Sequence, residues 1–343
     1  MSVRFPAEWE SQSGVLMAWP HADTDWAYML ETVEDCFSRI VAAIARFEPV
    51  LLVVPGSAPM RERLATTGAD LGRVQFAELP NNDTWARDFG PITVEVDGVP
   101  RLLDFGFNGW GLKFRANHDN RITARLQEQG WFGDCDRRTV GLIFEGGSIE
   151  SDGAGTLLTT SECLLEANRN PHLSQSEIEA KLLDLLGAER LLWLDHGALE
   201  GDDTDSHIDT LARLAPDDTL VYQGCQDPGD SHYPELQAMA RQLAGFRTAT
   251  GDPYRLIELP WPQARFDEEG QRLPATYANY LVVNGAVLVP TYDDPADAAA
   301  LAAIARAFPD RQIVGVDCCA LVEQHGSLHC VTMQLPAGVL APR

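Results

Sequence analysis

The sequence predicts an α/β protein built from one repeated unit, and three observations carry that prediction. Apolar runs of strand length alternate with amphipathic helical stretches along the whole chain. The leading strands of successive units start near residues 15, 92, 157, 220 and 287, a quasi-period of roughly 65 residues repeated about five times. No Ser/Gly linker or change of composition divides the 343 residues. The units therefore read as a single domain over residues 1–343, arranged around an axis, with an ordinary open α/β sandwich as the alternative.

The elements follow in order. Residues 15–19 form a short apolar strand ended by Pro20. Leu30, Val33, Phe37, Ile40, Val41, Ile44 and Phe47 recur at steps of three and four, an amphipathic helix. Residues 50–54 are a continuous apolar strand stopped by Pro55-Gly56, and a shorter helix over 59–66 leads to a strand at 74–79. Strands at 92–96 and 101–105 flank Asp97-Gly98, a hairpin turn pair. A helix over 118–129 precedes a strand at 140–144, and residues 156–160 are the next strand. Ser174 and Glu177 make a capping box for the helix carrying Ile178, Leu182 and Leu186, which leads to a strand at 191–194. A strand at 219–222, a helix with Leu236, Met239, Leu243 and Phe246, and a strand at 255–259 follow. Strands at 280–283 and 286–289 pair across Asn284-Gly285. Asp294-Pro295 caps and opens the helix holding Leu301, Ile304 and Phe308, which leads to a strand at 313–316. Residues 328–335 read as a further extended run, with Cys330 just past the turn Gln324-His325-Gly326-Ser327.

Composition narrows the function. The chain carries 26 basic and 51 acidic residues, a net charge of −25. Such a field opposes nucleic acid and anionic membrane surfaces and favours a small cationic substrate. The seven cysteines show no CxxC and no zinc spacing, which reads as reduced thiols in a cytoplasmic protein. The N-terminus lacks the apolar core of a signal peptide, and no apolar run approaches about 18 residues, so no membrane span is expected. Oligomeric state is not encoded legibly, and a homo-oligomer stays open.

If the units are related by rotation, their strand-to-helix loops converge, and the polar loops are to be read together. His207 and Asp209 are two apart and share a face on an extended segment. The same loop, with Asp203 and Asp205, reads alternatively as a divalent-metal site. Asp88 lies in a turn near Trp85, and Glu145 stands between an apolar strand and two glycines. Trp110 is flanked by glycines, as a pocket wall would be. His329 neighbours Cys330, but neighbours on a strand face opposite ways, so His207 is the better partner for that thiol.

These stretches resemble the agmatine deiminase family of the guanidine-modifying (pentein) superfamily, which is related to bacterial-type peptidyl-arginine deiminases. The matching segments are FPAEWESQSGVLMAWPHADTDW, NNDTWARDFGPITV, FNGWG, EGGSIESDGAGTLLTTSECLL with NRNP behind it, GDDTDSHIDTLAR and SLHCVTMQLP, collinear from Phe5 to Pro336. The resemblance implies a five-module, pseudo-fivefold α/β propeller and a hydrolase that deiminates agmatine to N-carbamoylputrescine and ammonia. It implies Cys330, His207, Asp88 and Asp209 as catalytic, with Trp85, Trp110, Glu145 and Asp203 around the substrate, and no metal or organic cofactor. Two departures border the pocket. Relatives carry a glycine-rich turn and Asn-Ile where this chain has His325-Gly326-Ser327-Leu328, and often a glycine where it has Ser206. Another guanidino substrate, peptidyl-arginine or free arginine, and a non-catalytic guanidinium-binding protein are the alternative readings.

Overall fold

In the computed structural model, which describes residues 2–341, five sheets of three or four strands repeat one plan. A central strand pairs antiparallel with one neighbour and parallel with the other, and a helix makes the parallel crossover. The third sheet illustrates it: Thr156–Thr160 is flanked by antiparallel Ile149–Ser151 and parallel Arg190–Leu194. Helix Gln175–Leu186 joins the two parallel strands. The fourth sheet centres on Thr219–Gln223 and the fifth on Ala286–Thr291 in the same way. Parallel neighbours need such a crossover because a tight turn cannot reverse the chain twice. In the second sheet, Ile92–Val96 and Val99–Gly106 form the hairpin. Asp97 (φ 51°) and Gly98 (φ 80°) both take the left-handed geometry that a two-residue turn of this hand requires.

The first sheet is assembled from both ends of the chain. Gln12–Ala18 pairs parallel with Val50–Val54, which pairs with Val74–Glu78, while the antiparallel neighbour is the C-terminal strand Met333–Pro336. Met333 stands opposite Leu16 and Leu335 opposite Gly14. Val15 to Ala18 and Val50 to Val54 are almost completely buried, as continuous apolar runs in doubly covered strands should be. Helix Leu30–Ala45 presents Val33, Phe37, Ile40, Val41 and Ile44 to that core, the stripe its periodicity foretold. No described helix is long and apolar enough to cross a membrane.

Three expectations need correction. The strand placed at 140–144 begins earlier, as Asp136–Ile143, because it pairs with residues 101–106 of Val99–Gly106, starting at Arg101↔Asp136, rather than over its apolar part alone. The helix after Asp294-Pro295 starts at Asp297, and the Asp294 carboxylate accepts from the Ala296 N–H at 2.8 Å instead of capping a first turn at Pro295. Residues 328–331 are a turn rather than part of an extended run, and the strand is only Met333–Pro336. The capping box is present: Ser174 Oγ accepts from the Glu177 N–H, and Glu177 Oε2 accepts from the Ser174 N–H at 2.8 Å. Ser174→Ala should lower the unfolding free energy by about 1 kcal/mol in urea titrations. An unchanged midpoint would contradict that capping role.

Candidate active site

The candidate residues all lie in connections between strands rather than within them. Asp88 lies on the single-turn helix Ala86–Phe89 between the first and second sheets. Trp110 follows Val99–Gly106, and Glu145 to Gly147 follow Asp136–Ile143. His207 and Asp209 belong to the connection after Arg190–Leu194, and Cys330 lies in the turn before Met333–Pro336. The loops of Asp88, Trp110, His207 and Cys330 border a cleft of about 460 Å³, although Glu145, His207 and Asp209 themselves lie behind its lining. Its lining includes Trp85, Asp88, Trp110, Asp203, Gly326 and Cys330. Further carboxylates line it, at Asp25, Asp83 and Asp202, and no lysine or arginine does. A second cavity, of about 580 Å³, is lined by Glu8, Arg87, Glu150 and Gln334 and reaches none of the thiol, His207 or Asp88.

Backbone contacts lock the two halves of the site. The Arg87 N–H donates to the Cys330 carbonyl at 3.1 Å, tying the thiol-bearing turn to the helix of Asp88. Gly147 N–H donates to Asp88 Oδ1 at 3.0 Å. A Cβ on Gly147 would lie 2.5 Å from His207 Nδ1 and 2.9 Å from Asp88 Oδ1, so that glycine is required by close approach. Trp110 Nε1 donates to Asp88 Oδ2 at 3.0 Å from a backbone held at φ 53°. Trp85 packs its ring on Gly326, where a Cβ would come within 2.1 Å of it.

His207 stands between two carboxylates, with Nδ1 3.6 Å from Asp88 Oδ1 and Nε2 3.6 Å from Glu145 Oε2. These separations are ion-pair contacts, longer than hydrogen bonds. Glu145 in turn accepts from Arg169 Nε at 3.1 and 2.7 Å, and Arg169 also reaches Asp205 Oδ2 (2.7 Å) and the Thr204 carbonyl (2.9 Å). Asp209 does not meet His207. Its Oδ2 faces His329 Nδ1 at 2.7 Å and Cys330 Sγ at 3.8 Å, while its buried Oδ1 has no protein partner. Asn279 completes the surroundings of Cys330, donating from Nδ2 to Sγ at 3.2 Å and accepting from the His329 N–H at 2.9 Å.

Burial and this crowd of carboxylates set the ionisation. Burial, aided by Asp209 and Glu145 against the pull of His207, raises Asp88 to about 6. Burial pushes the Cys330 thiol well above its usual range, and Asp209 and Asp88 push it further. Burial alone would depress the His207 ring, but Asp88, Cys163 and Glu145 outweigh it and hold the imidazolium well above the usual range. For Glu145 and Asp209 burial is also overcome, by His207 and Arg169 in the first case and by His329 and His207 in the second, and both stay below the ordinary carboxylate range. Asp203, half-buried at the mouth, is raised to about 6 by burial and by Asp202. The thiol is therefore held in its neutral form and the His207 ring in its charged form, while Asp209 Oδ1 stays buried without a protein partner.

Several readings of the sequence change here. His207 and Asp209 do not share the face of an extended segment, because Ile208–Thr210 is a 3-10 turn that separates them. Since Cys330 also lies in a turn, the alternation that set His329 aside does not apply, and His329 abuts Asp209 directly. The acidic loop does not gather Asp203, Asp205, His207 and Asp209 as ligands: Asp205 turns to Lys113 and Arg169 instead. Among the described residues, Glu145, Cys163 and His207 do converge at ligand distance, but Arg169 already holds that carboxylate, and a cation there would meet its charge. The left-handed backbone at Ser206 (φ 63°) and His325 (φ 65°) accounts for the glycines expected at those places. Ser206 tolerates it through bonds from its N–H to Asp202 Oδ2 (2.7 Å) and from its hydroxyl to Glu162 (2.8 Å).

Residues 4–336 match the Porphyromonas-type peptidyl-arginine deiminase family. The chain belongs to that family. A curated agmatine deiminase of Pseudomonas putida is 37% identical over 358 aligned positions, covering 97% of this chain and 95% of its own. A solved structure from Porphyromonas gingivalis, named as a candidate arginine deiminase, is 51% identical with a TM-score of 0.92, over 99% of this chain and 100% of that one. The C. jejuni agmatine deiminase with substrate bound superposes with a TM-score of 0.90 at 37% identity, over 98% and 97% of the two chains. The mixed α/β fold is shared with these deiminase structures.

Arg169 stands in the matching NRNP segment with no role assigned from the sequence, yet it is the buried counter-charge of Glu145. Arg169→Met leaves that carboxylate buried without its guanidinium and should cost about 3–5 kcal/mol in unfolding free energy. A loss below about 1 kcal/mol, the range of an exposed pair, would contradict the pairing.

Proposed function

We propose that this protein deiminates agmatine, releasing ammonia and N-carbamoylputrescine, with Cys330 as nucleophile and with no metal or organic cofactor. The observation that carries the reading is Cys330 Sγ standing beside Asp209, whose Oδ1 is buried and unpartnered, in a cleft walled by carboxylates. A planar guanidinium would donate N–H groups to Asp209 Oδ1 and to Asp88, each charge-assisted bond worth about 1.5–3 kcal/mol. Its positive charge favours loss of the thiol proton to solvent through the cleft, and the thiolate then attacks the central carbon, forming the C–S bond before the C–N bond to ammonia breaks. His207, protonated at rest, gives a proton to the departing ammonia, then takes one from the water that hydrolyses the thiouronium. Glu145 holds the charged form of His207.

Agmatine is a dication, and the mouth offers Asp203, Asp202, Asp83 and Asp25 to its second charge, with Trp85 and Trp110 along the alkyl chain. Free arginine would bring a carboxylate to a lining with no arginine or lysine. Peptidyl-arginine is the second reading, favoured by the name of the family and by a structure named as a candidate peptidyl-arginine deiminase at 48% identity. The five repeated sheets support a single-domain, five-module propeller whose loops wall one end of its axis. The seven free thiols support a reducing, cytoplasmic setting.

Ammonia release should be fastest with agmatine, slower with arginine and arginyl peptides, and lost in Cys330→Ala while the variant stays folded. Faster turnover of the peptide would favour the second reading, and full activity in Cys330→Ala would sink the mechanism. The pH profile of kcat/KM is a further test. Below about 6 the Asp88 carboxyl is protonated and cannot accept from the guanidinium, so kcat/KM should fall about tenfold per unit as pH drops through that value. A flat acid side down to pH about 4 would contradict the raised Asp88.

A further inference from the structure

Behind Asp209 lies a histidine that the reaction above does not use. His329 is completely buried, and both ring nitrogens face carboxylates: Nδ1 to Asp209 Oδ2 and Nε2 to Glu8 Oε1, each at 2.7 Å. Glu8 is itself gripped, by Arg213 Nη2 at 2.6 Å, Gln334 Nε2 at 2.9 Å and Arg87 Nη1 at 3.3 Å. Arg213 also approaches His329 Nε2 to 3.0 Å and bonds Glu150. Neither His329, Glu8 nor Arg213 lines the cleft. The side chains of this array reach the Cys330 thiol through Asp209, whose Oδ2 lies 3.8 Å from Sγ.

The effect of the array falls on the plane of one carboxylate. The terminal torsion of an aspartate is soft, so a lone carboxylate turns easily. Here Oδ2 is committed to His329, which leaves the buried Oδ1 as the oxygen without a protein partner. We propose that His329, clamped from behind by Glu8, is a positioning residue that fixes the plane of Asp209, so that one oxygen receives the guanidinium while the other stays beside the Cys330 thiol. The inference rests on the guanidinium-binding reading given above.

Two substitutions separate positioning from packing. Asn at 329 places an amide nitrogen near the position of Nδ1 and keeps a donor for Asp209, whereas Gln reaches toward Glu8 and leaves Asp209 without one. His329→Gln should raise the KM for agmatine about tenfold or more, and His329→Asn should hold it within about threefold, the scale of one charge-assisted bond. Equal KM shifts in the two variants would overturn the proposal, since a packing role has no reason to distinguish them. If either variant does not fold, the wild-type protein labelled with ¹⁵N-histidine decides the matter. The His329 Nδ1 proton resonance should move when methylguanidinium is added, and a resonance indifferent to that ligand would overturn the proposal. Wild-type protein that releases no ammonia from agmatine would refute the deiminase reading instead, and the methylguanidinium titration would still test the clamp.

Discussion

Three buried carboxylates, Asp88, Glu145 and Asp209, crowd one buried site, with His207, Arg169 and His329 among their partners. Much else follows from that imbalance. Low dielectric surroundings amplify each charge, so the thiol is held neutral, Asp88 is raised and the His207 ring keeps its proton. The missing charge is positive, and the proposed guanidinium supplies it. In the proposed mechanism the thiol stays protonated until the cation arrives, because the ligand to be attacked is also the ligand that favours the thiolate.

The fold supplies the crowding through its closure. Met333–Pro336 completes the first sheet from the far end of the chain, and the turn just before it carries Cys330 over the loops of the earlier sheets. Once that strand is paired, the Arg87 N–H reaches the Cys330 carbonyl, and the glycines at 146 and 147 let the Glu145 loop lie against Arg87, Asp88 and His207. A Cβ on Gly146 would come within 2.2 Å of the Arg87 carbonyl. Stability and site geometry are therefore coupled at one strand.

Much of this was legible in the sequence, for a physical reason. Buried parallel strands such as Val50–Val54 are continuous apolar runs, and the helix after Met29 shows its buried stripe at helical spacing, so local patterns reported the repeated plan. The candidate catalytic side chains were legible because Asp88, His207, Asp209 and Cys330 stand in polar turns after apolar runs. Their partnerships were not. Pairing His207 with Asp209 assumed an extended backbone, and the 3-10 turn at Ile208–Thr210 redirected each to a different neighbour. Arg169, Asn279, Glu8 and His329 act through contacts with residues distant in sequence, the farthest 321 positions apart, and no local pattern carries that information.

The claim that the substrate's charge ionises the nucleophile is open to direct measurement. Thiolate ultraviolet absorbance can be followed against pH in the wild-type protein, with Cys330→Ala subtracted, before and after saturation with methylguanidinium. The account predicts a Cys330 thiol that stays protonated past neutral pH in the free protein and titrates at clearly lower pH with the cation bound. A thiolate already present at neutral pH in the free protein, or a titration unmoved by the cation, would contradict it.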